Sequence, residues 1–284
     1  MVVSPQRLTR WPSYVRDRHA AITYTTPRDA PLRQLHPLTK THIRSRLLTN
    51  RRTVRNPYSL ASRDDLEQTA QLVRDRGRRI HTSVVDVRDL VDLRAAAETG
   101  ITELGDIDIV VANAGVVATG KTDPTDQGLY RDIVETNLFG VWNTLVASVP
   151  SMIRKGRGGS IILTSSTQGL VGRGGDGSAA AFAYAASKHG VVGLMRVAAT
   201  SYAEHSIRVN TVHPTGVFTP MVVNEHMAQV FTEHPSAAKL ATNLLPVPFI
   251  EAQDVTNAVV WLASDHARYI TGVCLPVDAG YTAM

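Results

Sequence analysis

Ile107-Asp108-Ile109-Val110-Val111-Ala112-Asn113-Ala114-Gly115 is an apolar run of strand length that ends in a short polar and glycine-containing turn. A continuous run of this kind reads as a strand buried on both faces, the habit of parallel sheets with helices on each side. Toward the amino end, Leu90 to Leu104 has helical spacing and stops at Gly105. Before it, Ile80 to Val87 reads as a strand running into Asp86, and Ser62-Arg63-Asp64-Asp65 is a capping box opening a helix that ends near Gly77. Toward the carboxyl end come a long amphipathic segment, about Asp126 to Arg154, and a strand, Ser160 to Thr164. A helix carrying Tyr184 and Lys188, a strand from Ile207 to Val212, a helix from Glu251 to Ala263 and a strand from Val273 to Val277 follow. Strands alternating with helices of ten or more residues predict an α/β fold with a doubly wound parallel sheet and right-handed crossovers.

In such sheets ligands sit beyond the carboxyl ends of the strands. Asp86, Asn113-Ala114-Gly115, Ser165-Ser166 and His213-Pro214 all fall at such ends. Each alone is also an ordinary turn former, but four successive strand ends carrying them mark one site. Tyr184 and Lys188, four residues apart, share a helix face. An ammonium within about 4–6 Å favours a phenolate. Two or three units of depression, at roughly 1.4 kcal/mol each, would bring a phenol from about 10 toward neutral pH, where it serves as acid or base.

At 284 residues the chain can bury a large core, and 43% hydrophobic with 19% charged residues is ordinary for a globular protein. No apolar run reaches the roughly 18 residues of a membrane span and no short apolar core follows a basic start, so no membrane association is expected. A single cysteine, Cys274, excludes an internal disulfide and makes a reducing cytoplasm the default. The ten histidines form no H-x-E, H-E-x-x-H or C-x-x-C grouping, so no metal site is expected. The net charge of +5 hides an asymmetry: residues 1–60 hold 12 Lys/Arg against Asp17 and Asp29, and the remainder is acidic by about five charges.

Asn113-Ala114-Gly115, Asn137, Ser165-Ser166, Tyr184-x-x-x-Lys188 and Arg208-Val209-Asn210 leading into His213-Pro214 resemble the short-chain dehydrogenase/reductase family, over about four-fifths of the chain from Tyr58 onward. Gly159-to-Ser166, Lys188-to-Met195, His213-Pro214-Thr215-Gly216-Val217 and Ala267-to-Gly272 are similar to the actinobacterial branch that includes carveol dehydrogenase-like, mycofactocin-associated members. The resemblance implies a Rossmann-type fold, a homotetramer and NAD-linked transfer of hydride between a secondary alcohol or ketone and nicotinamide. It implies Tyr184 as acid/base, Lys188 as its activator and holder of the nicotinamide ribose, and Ser166 as donor to the substrate oxygen. Asn137 is implied to hold a relay water behind the lysine; in the absence of that role it would be a solvated polar residue in a helix, where Asn has poor propensity. Asp86 and the backbone of Val87 are implied at the adenine, Asn113, Ala114 and Gly115 at the adenine-ribose side, and Pro214, Val217 and Thr219 at the carboxamide and pyrophosphate. The branch also implies an external redox carrier of the mycofactocin kind. Pro214-Thr215-Gly216 departs from the family's commoner Pro-Gly pair. Substrate preference is expected from Val116 to Gln127, from Met221 to Pro246 as a mobile lid, and from Gly169 to Ala183. In the last, Ser166 and Tyr184 are 18 positions apart where about 13 is usual, which predicts a flexible Gly-rich bulge or a displaced Ser166.

Residues 1–57 differ from residues 58–284, the catalytic domain on this reading. The family opens with a strand, a glycine-rich turn for the pyrophosphate and a helix. This chain has no glycine before Gly77, and residues 1–57 carry six prolines with no strand-helix-strand period. The acidic residue that would select NAD over NADP is missing with that unit. Three readings fit: an out-of-frame translation of a dinucleotide-binding start, a genuine basic extension on a non-catalytic, cofactor-less binding protein, or an Arg-rich transit-type leader. The arginines could meet phosphate, yet no aromatic interleaving or nucleic-acid motif accompanies them, so nucleic acid is not an expected partner.

Overall fold

The computed structural model describes the backbone at residues 20–25 and 42–47, and residues 58, 60–118, 123–173, 175–233 and 242–284. The three readings of residues 1–57 otherwise lie outside the described residues, as do residues 119–122, 174 and 234–241 of the three expected specificity segments.

The sheet has six strands in the order β2-β1-β3-β4-β5-β6. They are β1 (Ala20–Thr25), β2 (His42–Leu47), β3 (Ile109–Ala112), β4 (Gly159–Thr164), β5 (Ile207–Pro214) and β6 (Cys274–Val277). From β3 to β6 every pair is parallel, with Ile109 opposite Ser160, Gly159 opposite Ile207 and Thr211 opposite Cys274. The sheet is covered by helices on both faces, as a doubly wound fold requires. Val110, Ala112, Ile161, Leu163, Ile207 and Val209 pack against α4 (Gly140–Lys155) and α5 (Ala179–Ser201) through Leu145, Met152, Val191 and Met195. The alternate residues Ile109, Val111, Ile162 and Val212 pack against α7 (Ala252–Ala263) through Val259 and Leu262. The period of two sends successive side chains to opposite faces, so the unbroken apolar runs are required by helices on both sides.

The helix readings hold closely. α1 (Arg63–Arg74) opens on the expected capping box, in which the Ser62 side chain accepts from Asp65 N and Asp65 returns a bond to Ser62 N. α2 (Leu90–Leu104) ends at Gly105 with φ +94°, a value that favours glycine. The long amphipathic segment is α3 (Gln127–Val134) and α4 joined by one π-helical turn, Glu135–Phe139, which contains Asn137. Part of the expected lid is α6 (Glu225–Glu233).

One expectation fails at the amino side of the sheet. Ile80 to Val87 is not a strand: Val85 and Val87 are buried against Leu93 and Ala114, but the backbone has no ladder partner among the described residues. Apolar spacing predicts burial, whereas a strand also needs a free ladder beside it. The position beside β3 is held by β1, which runs antiparallel to it with Ile22 opposite Val111, and β2 pairs antiparallel outside β1. Residues 1–57, read as having no strand-helix-strand period, contribute these two strands, and β1 runs opposite to a strand feeding a glycine turn at the carboxyl edge.

Candidate active site

Ser165 and Ser166 leave the carboxyl end of β4, and α5 carries Tyr184 and Lys188 past them. Close packing is enforced by Gly169, where a Cβ would lie 2.7 Å from the Lys188 carbonyl oxygen, and by Ser165 Oγ, which donates to that carbonyl at 2.9 Å. Ser166 is extended, and its Oγ accepts from Gln168 N at 3.2 Å. The same hydroxyl hydrogen-bonds the Tyr184 phenol. The long insertion therefore does not displace Ser166. The insertion is also tied down at one point: Arg173 lies over the Tyr281 ring, 4.9 Å from the centroid, Gln168 Nε2 donates to Arg173 O at 2.6 Å, and Tyr281 Oη donates to the same oxygen at 3.3 Å.

Lys188 is 4% exposed, and its Nζ lies 5.6 Å from the centre of the Tyr184 ring. It donates to Thr164 O at 3.0 Å. Burial lowers its pKa to about 8. Burial also raises the Tyr184 pKa, and the Ser166 hydroxyl works in the opposite direction. The expected depression of the phenol by the ammonium is thus not what dominates here. Both shifts have the same cause, removal from water, which favours each neutral form, and the serine is the group that favours the phenolate.

Asn137, fully buried, sits behind this pair. Its Oδ1 accepts from Val116 N at 2.7 Å, and its Nδ2 donates to Val116 O at 2.8 Å and to Ser187 Oγ at 3.4 Å. The alternative reading, a solvated helix residue, does not hold, because the chain after Gly115 supplies its partners. Gly115 runs between Asn137 and Lys188; a Cβ there would lie 3.2 Å from Asn137 Oδ1 and 3.4 Å from Lys188 Nζ. Ala114 is buried with Val85 and Val87, which brings the segment through Asp86 beside the Asn113-Ala114-Gly115 turn. The Asp86 carboxylate is held by Arg88 at 2.7 Å, and Asn143 Nδ2 donates to Val87 O at 2.8 Å. Pro214 lies opposite Val277, Val217 bridges to Ile250, and Thr219 Oγ1 donates to Val217 O at 3.3 Å. That hydroxyl points at its own turn.

Three further residues belong to the site. Tyr58 Oη accepts from Val117 N at 3.2 Å and lies close enough to Tyr184 to interact with it electrostatically; burial raises its pKa. Arg88 and Asn143 hold the Asp86-Val87 segment. The i, i+2 pairing of Asp86 and Arg88 was legible; the 59-residue closure from Tyr58 to Val117 carried no local signal.

A family model described as enoyl-(acyl carrier protein) reductase matches residues 58–282. The chain belongs to the short-chain dehydrogenase/reductase family. Within it, the chain is 44% identical over 234 residues to (−)-trans-carveol dehydrogenase of Rhodococcus erythropolis, covering 79% of this chain and 83% of that protein. It is 48% identical over 226 residues to an uncharacterized oxidoreductase of Mycobacterium tuberculosis, covering 79% and 81%. The crystal structure of carveol dehydrogenase from Mycobacterium avium in complex with NAD superposes with a TM-score of 0.77 at 41% identity, covering 84% of this short-chain dehydrogenase/reductase and 88% of that chain.

Proposed function

We propose that this chain is an NAD-linked oxidoreductase that interconverts a secondary alcohol and its ketone. The observation that carries the reading is the convergence of Tyr184, Ser166 and Lys188 at the carboxyl edge of the sheet, beside Gly115. Bound NAD would supply the hydride acceptor. The Ser166 hydroxyl, which lies against Tyr184, would hydrogen-bond the substrate oxygen, and Tyr184 takes up or returns the proton at that oxygen. Among the described residues Thr164 O is the acceptor within reach of Lys188 Nζ, so two of the three ammonium hydrogens are available to ribose hydroxyls. The flat, Cβ-free edge at Gly115 lets such a group approach. These residues fit the nicotinamide end of the cofactor. At the diphosphate end the fit is absent among the described residues, since no glycine precedes Gly77 and β1 enters the sheet antiparallel.

That mismatch favours a second reading, a family member that does not retain the dinucleotide and acts as a binding protein with residues 1–57 as a basic arm. Calorimetry with NAD separates the two, followed by oxidation of cyclic secondary alcohols such as carveol, the substrate class suggested by the named relatives. Saturable NAD binding and turnover that Tyr184→Phe abolishes in a folded protein support the enzyme; a folded wild type that binds no NAD supports the second reading. Exposed Phe139, Trp142, Phe182 and Val197 on the helices around the site support assembly as a homo-oligomer, a homotetramer by family likeness, which sedimentation measures. Recycling of the cofactor by an external carrier of the mycofactocin kind is supported by the carveol dehydrogenase likeness. No helix among the described residues is long and apolar enough to cross a membrane; the cytoplasm is the proposed location.

A further inference from the structure

We propose that His213 is a positioning residue that, steadied by Thr211, holds the backbone carbonyl of Ser166 and so aims the Ser166 hydroxyl at Tyr184. His213 is fully buried at the end of β5. Its Nδ1 lies 2.7 Å from Ser166 O and its Nε2 lies 2.7 Å from Thr211 Oγ1. A carbonyl oxygen can only accept, so Nδ1 carries the proton, and the neutral ring accepts from the Thr211 hydroxyl at Nε2. Burial favours that neutral form. The need for such a prop follows from where Ser166 sits. The bond from Ser165 N to Val212 O at 2.9 Å closes the β4–β5 ladder, and Ser166 lies one residue beyond it. There the chain leaves β4 for the 3₁₀ turn Thr167–Gly169, and the imidazole supplies a donor to the Ser166 carbonyl outside any ladder. Ser166 is thereby fixed at both its carbonyl and its hydroxyl, the latter by Gln168 N.

The inference takes from the proposed function only that Ser166 and Tyr184 act together. The test uses the full chain with ¹³Cζ-labelled tyrosine, the Tyr184 resonance being the one missing in Tyr184→Phe; at pH 7 its shift reports hydrogen bonding of the phenol. His213→Leu is expected to move this resonance as Ser166→Ala does. His213→Asn, whose Nδ2 can stand where Nδ1 does, is expected to leave it in place. Where turnover is measured, His213→Leu should lower kcat by about tenfold or more with KM little changed, and should cost little further in the Ser166→Ala background. Should His213→Leu not fold, His213→Gln, which keeps polar volume but loses the donor at the Nδ1 position, replaces it. An unmoved Tyr184 resonance in the folded variant, or losses that multiply in the double variant, would overturn the proposal. A wild type without turnover in which the resonance pattern still holds would sink the enzymatic reading and leave this inference standing.

Discussion

Asn137 and the backbone of Val116 bond each other in both directions, Oδ1 accepting from the N–H at 2.7 Å and Nδ2 donating to the carbonyl at 2.8 Å. One side chain thus does for Val116 what a neighbouring strand would do, just past the point where the chain leaves β3. Because Gly115 lies against both Asn137 and Lys188, this pairing sets the edge along which a ribose would pass.

Asn137→Ala leaves a buried N–H and a buried carbonyl without their partner. A loss of about 2–4 kcal/mol is expected, read as a lower urea midpoint. The same variant should weaken NAD binding if the Gly115 edge relaxes, which calorimetry measures.

Lys188 couples stability to pH. Its folded-state pKa falls from 10.5 to about 8, so between those values the unfolded chain binds more protons and stability rises with pH. Below about 8 both states are protonated and the burial penalty is fully present. Lys188→Met lacks this group, and the stability of wild type relative to that variant should increase between pH 8 and 10.5 by up to about 3 kcal/mol. Urea unfolding of both proteins at pH 7.5, 9 and 10.5 tests the sign as well as the size.

Gly140 opens α4 against Val87, and a Cβ there would stand 2.6 Å from Val87 Cγ2. Gly140→Ala should therefore destabilise by about 1–3 kcal/mol despite alanine's better helix propensity. Adding Val87→Ala should recover part of that loss, whereas simple additivity of the two changes would refute the clash.

Arg88 and Asp86 pair at 2.7 Å with side chains only 11% and 15% exposed. Arg88→Ala strands the carboxylate and should cost about 2–4 kcal/mol. Asp86→Asn in the same chain should restore much of it. The exposed Arg74–Glu67 pair is the internal control: Arg74→Ala should change stability by less than about 1 kcal/mol.

Burial in a parallel sheet and the punctuation of helices were legible from residue 60 onward because they are local. The Ser62–Asp65 box, the stop at Gly105 and the apolar run ending at Ala112 each depend on residues within one element. Tyr184, Lys188 and Ser166 were legible as a set because their residue types and strand-end positions are written in the chain. The sequence by itself also showed that no glycine precedes Gly77, so the family's glycine-rich turn is not written there. Tertiary structure alone decided the rest. Ile80 to Val87 has strand spacing yet has no ladder partner among the described residues, and β1 occupies the place beside β3. Asn137 looks like a poor helix residue until Val116, 21 positions away, supplies both its partners. His213 looks like a turn residue until Ser166, 47 positions away, is found on its imidazole. The burial that raises the Tyr184 pKa is likewise set by what packs around the ring. Hydrogen-bond partners, ladder neighbours and desolvation are properties of what the folded chain brings close, and no spacing along the sequence encodes them.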